Sequence, residues 1–411
     1  MRSTILAVAI MGLAPAVGAR AQAVPADPQA PGTHFEYSPT DLAEPHATEA
    51  VANLSATVPR PPGATLRVPK GFAATLFAAG LAGPRNLLVM PDGDVLAAES
   101  SAGKISLLRD ANGDGKADTV ATFAGGFERP YGLALHEGTL YVGDVHGIWK
   151  LTYSDGATKA GARERVTKEG VLGEWSDHWT RNIVLDSKGR LFLAEGSTQN
   201  VGEDPPPHAA VSIVNKDGSL TPFATGLRNP VGLHFYPGTD DLYAVVNERD
   251  MLGNKLVPDY FTQVEKGDFF GWPYAYIGAH PDPDFGNKRA DLVARTKVPD
   301  VLFHSHSAPL GMVFYDADQF PAEYKGDAFV ALHGSWNAAT PTGYKVVRIR
   351  FKHGRPEAGY ENFVTGWWRS GRNPAEVWGR PAGLAVAKDG SLLIADDAGK
   401  AIWRVRHVGK R

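Results

Sequence analysis

The sequence of 411 residues contains no cysteine. Disulfide bonds, thiolate metal sites and cysteine nucleophiles are therefore excluded. An excess of charge of one sign is also missing, because 42 Lys and Arg against 45 Asp and Glu leave a formal net charge of −3. This balance provides no electrostatic attraction for nucleic acid, and we expect no nucleic-acid partner.

Several catalytic motifs are absent as well. The chain has no H-E-x-x-H, no G-x-S-x-G, no Walker phrase and no G-x-G-x-x-G after a strand. These absences argue against a zinc protease, a serine hydrolase, a nucleotide-dependent enzyme and a nicotinamide dehydrogenase on a Rossmann fold.

Long hydrophobic runs are missing beyond the first 23 residues, so no stable membrane span is expected. The N-terminus has Arg2, an apolar stretch over 5–17, and small residues that fit cleavage after Ala21 or Ala23. We expect residues 1–23 to be an export signal and the mature protein to be periplasmic or secreted. An uncleaved anchor is the alternative.

What the chain does contain is turn-forming residues, with 46 Gly and 30 Pro, and 43% apolar residues that can form a sizeable core. This composition favours many short strands over long helices. Residues 24–65 are rich in Pro and Ala without periodicity, which predicts a linker or an arm lying on the surface.

From residue 66 onward one phrase recurs: Gly or Arg, then Pro, an apolar run, a turn with Asp or Gly, and a second apolar run. The copies begin at Gly80, Gly126, Thr180, Gly226, His306 and Gly379. Each copy reads as a strand pair that cannot bury its own face, so stacking around an axis is required. We predict an all-β, six-bladed β-propeller over residues 66–411, with a long β-sandwich array as the alternative.

The propeller would bring the loops before equivalent strands to one end of the axis. The stretch 174–182 is one of these loops and holds His178 beside Asp177. A histidine there can accept a proton near neutral pH, or it can simply cap a loop. Arginines recur in these phrases, and a ring of arginines with one histidine would suit a polyanionic ligand. These arginines are Arg85, Arg129, Arg181, Arg228 and Arg380.

A second motif, residues 110–118, resembles the start of an EF-hand calcium loop but lacks the Glu at the twelfth position. A surface calcium site and an unmetallated Asx-rich turn are both compatible with it. The candidate ligands are Asp110, Asn112, Asp114 and Asp118.

Six stretches, taken in order, carry a resemblance to a known family. They are Asp177-His178 with Arg181-Asn182, residues 226–233, residues 246–250 with 266–273, residues 307–311, residues 331–335, and Arg380-Pro381. Over about residues 66–407 the chain resembles the glucose/sorbosone dehydrogenases, and within them the L-sorbosone dehydrogenase-like and pyranose dehydrogenase-like branch. Members of this family are exported six-bladed propellers that use pyrroloquinoline quinone (PQQ) and calcium.

The resemblance implies a role for several residues. His178 matches the catalytic base, and Asp177 beside it would orient the ring. Arg228 matches the arginine that faces the reactive carbonyls of the quinone, and Asn229 matches a cofactor-contacting asparagine. The remaining cofactor candidates are His333, Arg380, Arg181 and His306. The main-chain carbonyls of Asn247 and Glu248 fall where the family binds a calcium ion that also contacts the quinone.

Two departures from the family pattern concern the cofactor. His333 stands where glucose-oxidising members have a lysine, and a second arginine near the last repeat is missing. Carboxylate recognition would then use Arg181, Lys345 or Arg372.

The sequence therefore predicts a PQQ- and calcium-dependent dehydrogenase that oxidises a sugar, a sugar aldehyde such as sorbosone, or a related alcohol. No haem-attachment phrase is present, so electrons would pass to a separate acceptor, a quinone or a cytochrome. Two alternatives stay open. One is a calcium-dependent propeller lactonase, and the other is a non-catalytic propeller that binds glycans or partners.

Overall fold

The computed structural model describes residues 27–409, so the expected export signal at 1–23 lies outside the described residues. The regular secondary structure of this range is almost entirely β-strand. Its only α-helix is Ala290–Ala294, with 3-10 turns at Ser100–Ala102 and Ala322–Tyr324. No helix of residues 27–409 has the length and hydrophobicity needed to cross a membrane. The prediction of an all-β chain is confirmed.

Six antiparallel sheets of four or five strands follow one another along the chain. Sheet I comprises Pro84–Val89, Val95–Glu99, Lys104–Arg109 and Thr119–Gly125. Sheet II comprises Gly132–His136, Thr139–Asp144, Gly147–Thr152 and Arg163–Arg165. Sheet III comprises Arg181–Leu185, Leu191–Glu195, Ala210–Val214 and Leu220–Thr225.

The other three sheets complete the series. Sheet IV comprises Asn229–Phe235, Leu242–Asn247, Tyr260–Val264 and Val301–Leu302. Sheet V comprises Pro309–Phe314, Ala328–Leu332, Lys345–Ile349, Tyr360–Val364 and, at its outer edge, His34–Phe35. Sheet VI comprises Pro381–Val386, Leu392–Asp396, Ala401–His407 and Phe72–Ala79.

The first strand of each sheet contacts the first strand of the next, and that of sheet VI returns to that of sheet I. The arrangement is therefore propeller-like. The ring closes within sheet VI, where Phe72–Ala79 pairs with Ala401–His407. Strands from the two ends of the described chain thus share one sheet, which ties the ring together with backbone hydrogen bonds.

The recurring phrases predict these sheets well. Each phrase runs into a first strand, and the second apolar run is the second strand. In sheet III the predicted turn at Lys188-Gly189 joins Arg181–Leu185 to Leu191–Glu195. Every residue of Leu191–Glu195 is buried, because neighbouring sheets cover both of its faces. This explains why the second runs are continuously apolar instead of alternating.

Residues 27–65 form an arm that packs along sheets V and VI. His34–Phe35 pairs with Tyr360–Val364, and Ala56–Thr57 runs parallel to Glu376–Val377. Glu376–Val377 also pairs with Trp368–Ser370. Two further small sheets are Ala275–Tyr276 with His280–Pro281, and Phe351–Lys352 with Arg355–Pro356. The arm is mostly irregular, as its prolines predict, yet it is closely packed against the sheets.

Candidate active site

A polar cavity of about 520 Å³ lies at the end of the ring where the first strands begin. It is lined by residues from the loops that precede the first strands of sheets III to VI and from the loops that follow the second strands of sheets III to V. Those used below are Asp177, His178, Arg228, Asn229, Asn247, Glu248, Asp250, Met251, Asp259, His306, His333, Trp336 and Arg380. The volume is in the range of small-molecule sites.

His178 is held in one tautomer. Its Nδ1 lies 2.8 Å from the carbonyl oxygen of Ser197 and 3.0 Å from Ser197 Oγ. Because a carbonyl oxygen only accepts, Nδ1 carries the proton and Nε2 is an acceptor. Burial, and next the charge of Arg228, lower the pKa of His178 to about 3. The ring is therefore neutral at neutral pH and able to accept a proton.

Asp177 does not hold this ring. Its side chain is exposed, and the ring nitrogen it would orient is bonded to Ser197. It lines the cavity mouth beside His178. Ser197, two residues after Glu195 at the end of the second strand of sheet III, was not found by sequence reasoning. The location of Ser197 at this end of the ring could have been predicted, because loops that follow equivalent strands meet there.

Arg228, Asp250 and His306 form a charged wall of the cavity. Arg228 Nη2 lies 3.2 Å from Asp250 Oδ2, and His306 Nδ1 lies 3.2 Å from Asp250 Oδ1. Burial opposes charge on His306, but the hydrogen bond and charge of Asp250 outweigh it and raise the pKa of the imidazole. His306 Nε2 also donates to the carbonyl of Gly253 at 2.9 Å. Both ring nitrogens are thus donors, as in a histidinium.

Arg228 is fixed by further bonds. Its Nε donates to the carbonyl of Asn200 at 2.9 Å, and its Nη2 donates to Asn200 Oδ1 at 3.0 Å. Its Nη1 donates to the carbonyl of Glu248 at 2.7 Å and lies 3.4 Å from that of Asn247. The guanidinium is therefore preorganised, and sequence reasoning missed Asn200 and the bridging role of Asp250 in this.

Asn229 presents a buried oxygen to the same cavity. Its Oδ1 has no hydrogen-bond partner within residues 27–409. A Cβ at Gly196 would lie 2.5 Å from this oxygen and 2.6 Å from Cβ of His178. Only glycine therefore lets Asn229 and His178 approach from two sheets. An unpaired buried acceptor of this kind is costly unless a ligand satisfies it.

Glu248 and Asp259 are buried acids at the base of the cavity. Burial raises the pKa of Glu248 to about 8 and that of Asp259 to about 7. Glu248 Oε1 has no partner among the described residues. Both acids carry less negative charge at neutral pH than exposed acids would, which leaves the cations of the wall to dominate the site.

His333 and Arg380 form the opposite wall. Arg380 donates from Nε to the carbonyl of His333 at 3.0 Å and from Nη2 to that of Gly334 at 2.8 Å. His333 Nε2 lies 2.9 Å from Asp397 Oδ1. Burial, and next the charge of Arg380, lower the pKa of His333 to about 4, so this ring is neutral. Arg85 pairs with Asp397 behind it.

Two candidates lie away from the cavity. Arg181 is buried behind the loop of His178, where it donates to the carbonyl of His178 at 3.0 Å and pairs with Glu195 at 3.2 Å. Lys345 is buried in an ion pair of 2.7 Å with Asp27 of the arm. In this structure both cations already have anionic partners, and neither lines the site, so the expectation that they contact the cofactor is not supported.

A small apolar cluster lies on the axis of the ring. Tyr131, Val231, Leu310 and Ala382 form a buried cluster on the axis, and Trp179 packs edge-to-face on Tyr131 with centroids 6.1 Å apart. Beyond this cluster the first strands enclose a second cavity of about 480 Å³.

The loop 110–118 is hydrogen-bonded to itself. Asp118 Oδ2 accepts from the amide of Ala111 at 2.8 Å, and Asp110 Oδ2 accepts from the amide of Gly115 at 2.8 Å. Asn112 and Asp114 likewise accept backbone amides of the loop. These are the bonds of an Asx-rich turn. Over residues 27–409 no group of three or more His, Asp or Glu has the geometry of a metal site. Calcium binding here stays a prediction.

Fold and site together define an all-β, propeller-like protein with a polar, cation-lined cavity at one end of its axis. The chain belongs to the TrAA12-like family, whose model matches residues 66–268 and 280–408. The resemblance noted from the sequence is thereby confirmed at the level of the family and its neighbours.

Two sequence relatives cover most of the chain. An uncharacterized protein of Borreliella burgdorferi is 29% identical over 360 residues, covering 83% of this chain and 90% of the relative. A pyrroloquinoline quinone-dependent pyranose dehydrogenase of Coprinopsis cinerea is 25% identical over 413 residues. That match covers 84% of this chain and spans 55% of the relative's length.

Solved structures show the same fold. The holo form of the PQQ domain of the Coprinopsis cinerea pyranose dehydrogenase has a TM-score of 0.70 at 20% identity, covering 85% of this chain and 98% of that one. An iodide structure of a Trichoderma reesei carbohydrate-active enzyme of family AA12 has a TM-score of 0.68 at 22% identity, with coverages of 87% and 100%. The structural neighbours include PQQ-dependent pyranose and aldose sugar dehydrogenases.

The cavity residues fit a planar, anionic cofactor such as PQQ. Arg228, Arg380 and protonated His306 supply positive charge, and the unpaired Oδ1 of Asn229 can accept a hydrogen bond from a ligand. Calcium fits less well, because the carbonyls of Asn247 and Glu248 accept hydrogen bonds from Arg228 here.

Proposed function

We propose that this protein is a PQQ-dependent dehydrogenase that oxidises a sugar, a sugar aldehyde or a related alcohol. The observation that carries the proposal is the neutral His178, whose acceptor Nε2 belongs to the same cavity as Arg228 and the unpaired oxygen of Asn229. The sequence relative that is a PQQ-dependent pyranose dehydrogenase supports the cofactor and the substrate class.

The protein's own residues would prepare the reaction. PQQ, when bound, would supply the acceptor for a hydride. His178 Nε2 takes the proton of the substrate hydroxyl, and the bond from Nδ1 to Ser197 keeps the ring in the required tautomer. A positioned histidine base contributes about 10²–10⁴-fold in rate.

The charged wall would assist the same step. Arg228 is held by five oxygen partners and places a fixed positive charge beside His178, where negative charge develops on the reacting groups.

The finer expectations belong to the proposal. We infer a six-bladed propeller, supported by the six sheets whose first strands form a closed ring. Export through residues 1–23 and a separate electron acceptor, a quinone or a cytochrome, complete it. Calcium enters the proposal from the resemblance alone, and no catalytic step is assigned to it.

The experiment is reconstitution of the purified protein with PQQ, with calcium or with a chelator, followed by dye reduction on a panel of aldoses, sorbosone and simple aldehydes. We expect PQQ-dependent dye reduction with at least one sugar or sugar aldehyde. Hydrolysis of lactones without PQQ would favour the calcium-dependent lactonase instead. Binding of glycans with neither activity, and unaffected by His178→Ala, would favour the non-catalytic propeller.

A further inference from the structure

Residues 46–53 of the arm lie against one side of the cavity mouth. The family model begins at residue 66, so the arm lies outside the family match. The segment touches two loops, here called rim loop 1 (residues 248–254) and rim loop 2 (residues 333–339). Both loops contribute side chains to the cavity.

Rim loop 1 is held by Thr48. The amide of Asn254 donates to Thr48 Oγ1 at 2.8 Å. Gly253 has a φ of +108°, and a Cβ there would lie 2.8 Å from the carbonyl oxygen of Thr48. The arm therefore packs on the backbone of Gly253 at van der Waals distance. The carbonyl of the same Gly253 accepts from His306, so this contact is one residue away from the charged wall.

Rim loop 2 is held by Asn53, which is 5% exposed. Its backbone amide donates to the carbonyl of Trp336 at 2.6 Å, and its side-chain Nδ2 donates to the carbonyl of Ala338 at 3.0 Å. Nδ2 also reaches the carbonyl of Arg372 at 2.8 Å. Rim loop 2 has no strand in this region, so these bonds fix its backbone.

The two loops and the arm form one hydrogen-bonded unit. Asn337 of rim loop 2 is fully buried; its Oδ1 accepts from the amide of Met251 at 2.9 Å, and its Nδ2 donates to the carbonyl of Val51 at 2.9 Å. Asn254 Oδ1 accepts from the amide of Ala339 at 2.7 Å. A shift of the arm would therefore move both loops.

The rim presents apolar side chains to solvent. Trp336 and Met251 line the cavity, yet they are 43% and 47% exposed. Both side chains are therefore accessible to a ligand that enters the cavity. A tryptophan face beside hydrogen-bonding groups suits the apolar face and hydroxyl edge of a sugar ring.

We propose that Thr48 and Asn53 are positioning residues for substrate binding, which hold the two rim loops so that Trp336 and Met251 form the outer wall of the sugar site. The arm is then part of the binding site although it lies outside the family match. The nature of the substrate rests on the proposed function, whereas the positioning of the loops does not.

The test uses the full mature chain and four variants, Thr48→Val, Thr48→Ser, Asn53→Ala and, as a control in the exposed part of the arm, Ser38→Ala. Hydrogen–deuterium exchange of peptides covering rim loops 1 and 2 should be faster in Thr48→Val and Asn53→Ala than in wild type. Thr48→Ser keeps the acceptor oxygen and should restore slow exchange. Ser38→Ala should leave both loops unchanged.

Kinetics of the PQQ-reconstituted protein give the second readout. Because the rim binds substrate without touching the reacting atoms, Thr48→Val should raise KM about three- to tenfold and change kcat less than about twofold. Unchanged exchange in both loops would overturn the proposal, as would faster exchange with an unchanged KM, or a loss confined to kcat. If wild type oxidises no sugar, the proposed function fails separately, and the exchange data alone decide whether the arm positions the loops.

Discussion

In sheets IV and VI the first residue of the first strand pairs with the last residue of the second strand at the cavity end. The side chains at these positions differ in the hydrogen bonds that they accept. In sheet VI, Pro381 pairs with Asp396, whose carboxylate accepts four hydrogen bonds. The donors are the amides of Arg380 and Gly399 and the indoles of Trp367 and Trp403. In sheet IV, Asn229 pairs with Asn247, and the Asn229 side-chain oxygen accepts none.

The other sheets extend this comparison. Glu99 in sheet I and Asp144 in sheet II occupy the position of Asp396 and accept from backbone amides of the adjoining loops. Glu195 in sheet III pairs with the side chain of Arg181 instead. In sheet IV the same position is Asn247, whose Nδ2 donates to the carbonyl of Pro309 at 2.7 Å, and the unpaired oxygen belongs to Asn229 on the opposite strand.

The largest expected effect concerns His178 in the cavity. His178→Gln removes the proposed base and should lower kcat/KM of the PQQ-reconstituted protein about 10²–10⁴-fold, because proton transfer loses its acceptor. Steady-state dye reduction measures this. The control is His146→Gln, since His146 is exposed and pairs only with Glu128 at the surface. Equal rates in the two variants would remove His178 from the mechanism.

The next effect contrasts the two sheets directly. Asp396→Asn places an amide among four donors and should lower the free energy of unfolding by about 1–3 kcal/mol, because its NH2 group cannot accept and leaves buried donors unpaired. Asn229→Leu removes an unpaired acceptor and should change stability by less than about 1 kcal/mol. Denaturant unfolding of both variants checks this. A larger cost at Asn229 than at Asp396 would mean that the protein itself satisfies that oxygen.

A smaller effect is the pH dependence of stability. The folded-state pKa of Glu248 is about 8, above its ordinary value of 4.5, because of burial. The folded state therefore holds a proton that the unfolded state releases, so this stabilising contribution is present below pH 4.5 and is lost as pH rises to about 8.

Melting temperatures of wild type and Glu248→Gln between pH 5 and 8.5 measure that contribution. The decline with rising pH should be less steep in Glu248→Gln, with a remainder from Asp259, whose pKa burial raises to about 7. The exposed Glu169→Gln serves as the control and should follow wild type. Parallel curves for all three proteins would show that Glu248 is ionised in the folded state.

The smallest expected change is an absence of titration. With the pKa of His178 lowered to about 3, its ring signals in NMR spectra should not move between pH 7.5 and 5. A midpoint for His178 near the ordinary value of 6.5 would mean that the ring is solvated in the free protein.

The fold could largely be predicted from the recurring phrases, because each phrase contains a turn and two apolar runs. The third and fourth strands were not, and neither was the closure by Phe72–Ala79, since pairing across the whole chain leaves no local signal. The irregular structure of the arm could be predicted from its prolines. Its packing against the rim loops depends on contacts between residues nearly 300 positions apart, such as Asn53 with Ala338.

The residues of the site could be predicted from the sequence where the residue type alone indicates the role. His178, Arg228, Asn229, His333 and Arg380 line one cavity, as the convergence of loops predicts. Arg181 does not, although the sequence held the signal. The predicted turn at Lys188-Gly189 sets the register that places Arg181 opposite Glu195, where a buried ion pair forms. Ser197 and Asp250 were missed because their roles depend on a second loop.

We propose that the cavity beside sheet IV, with Arg228 and the unpaired Oδ1 of Asn229, is a PQQ site. Its most direct measurement is a calorimetric titration of the full mature chain with PQQ, in calcium and in chelator, for wild type, Arg228→Met and the exposed-site control Arg163→Met. We expect saturable one-to-one binding to wild type and to Arg163→Met, with binding to Arg228→Met weakened at least about tenfold, or 1.4 kcal/mol. Equal binding to all three proteins, or no binding to wild type under either condition, would contradict it.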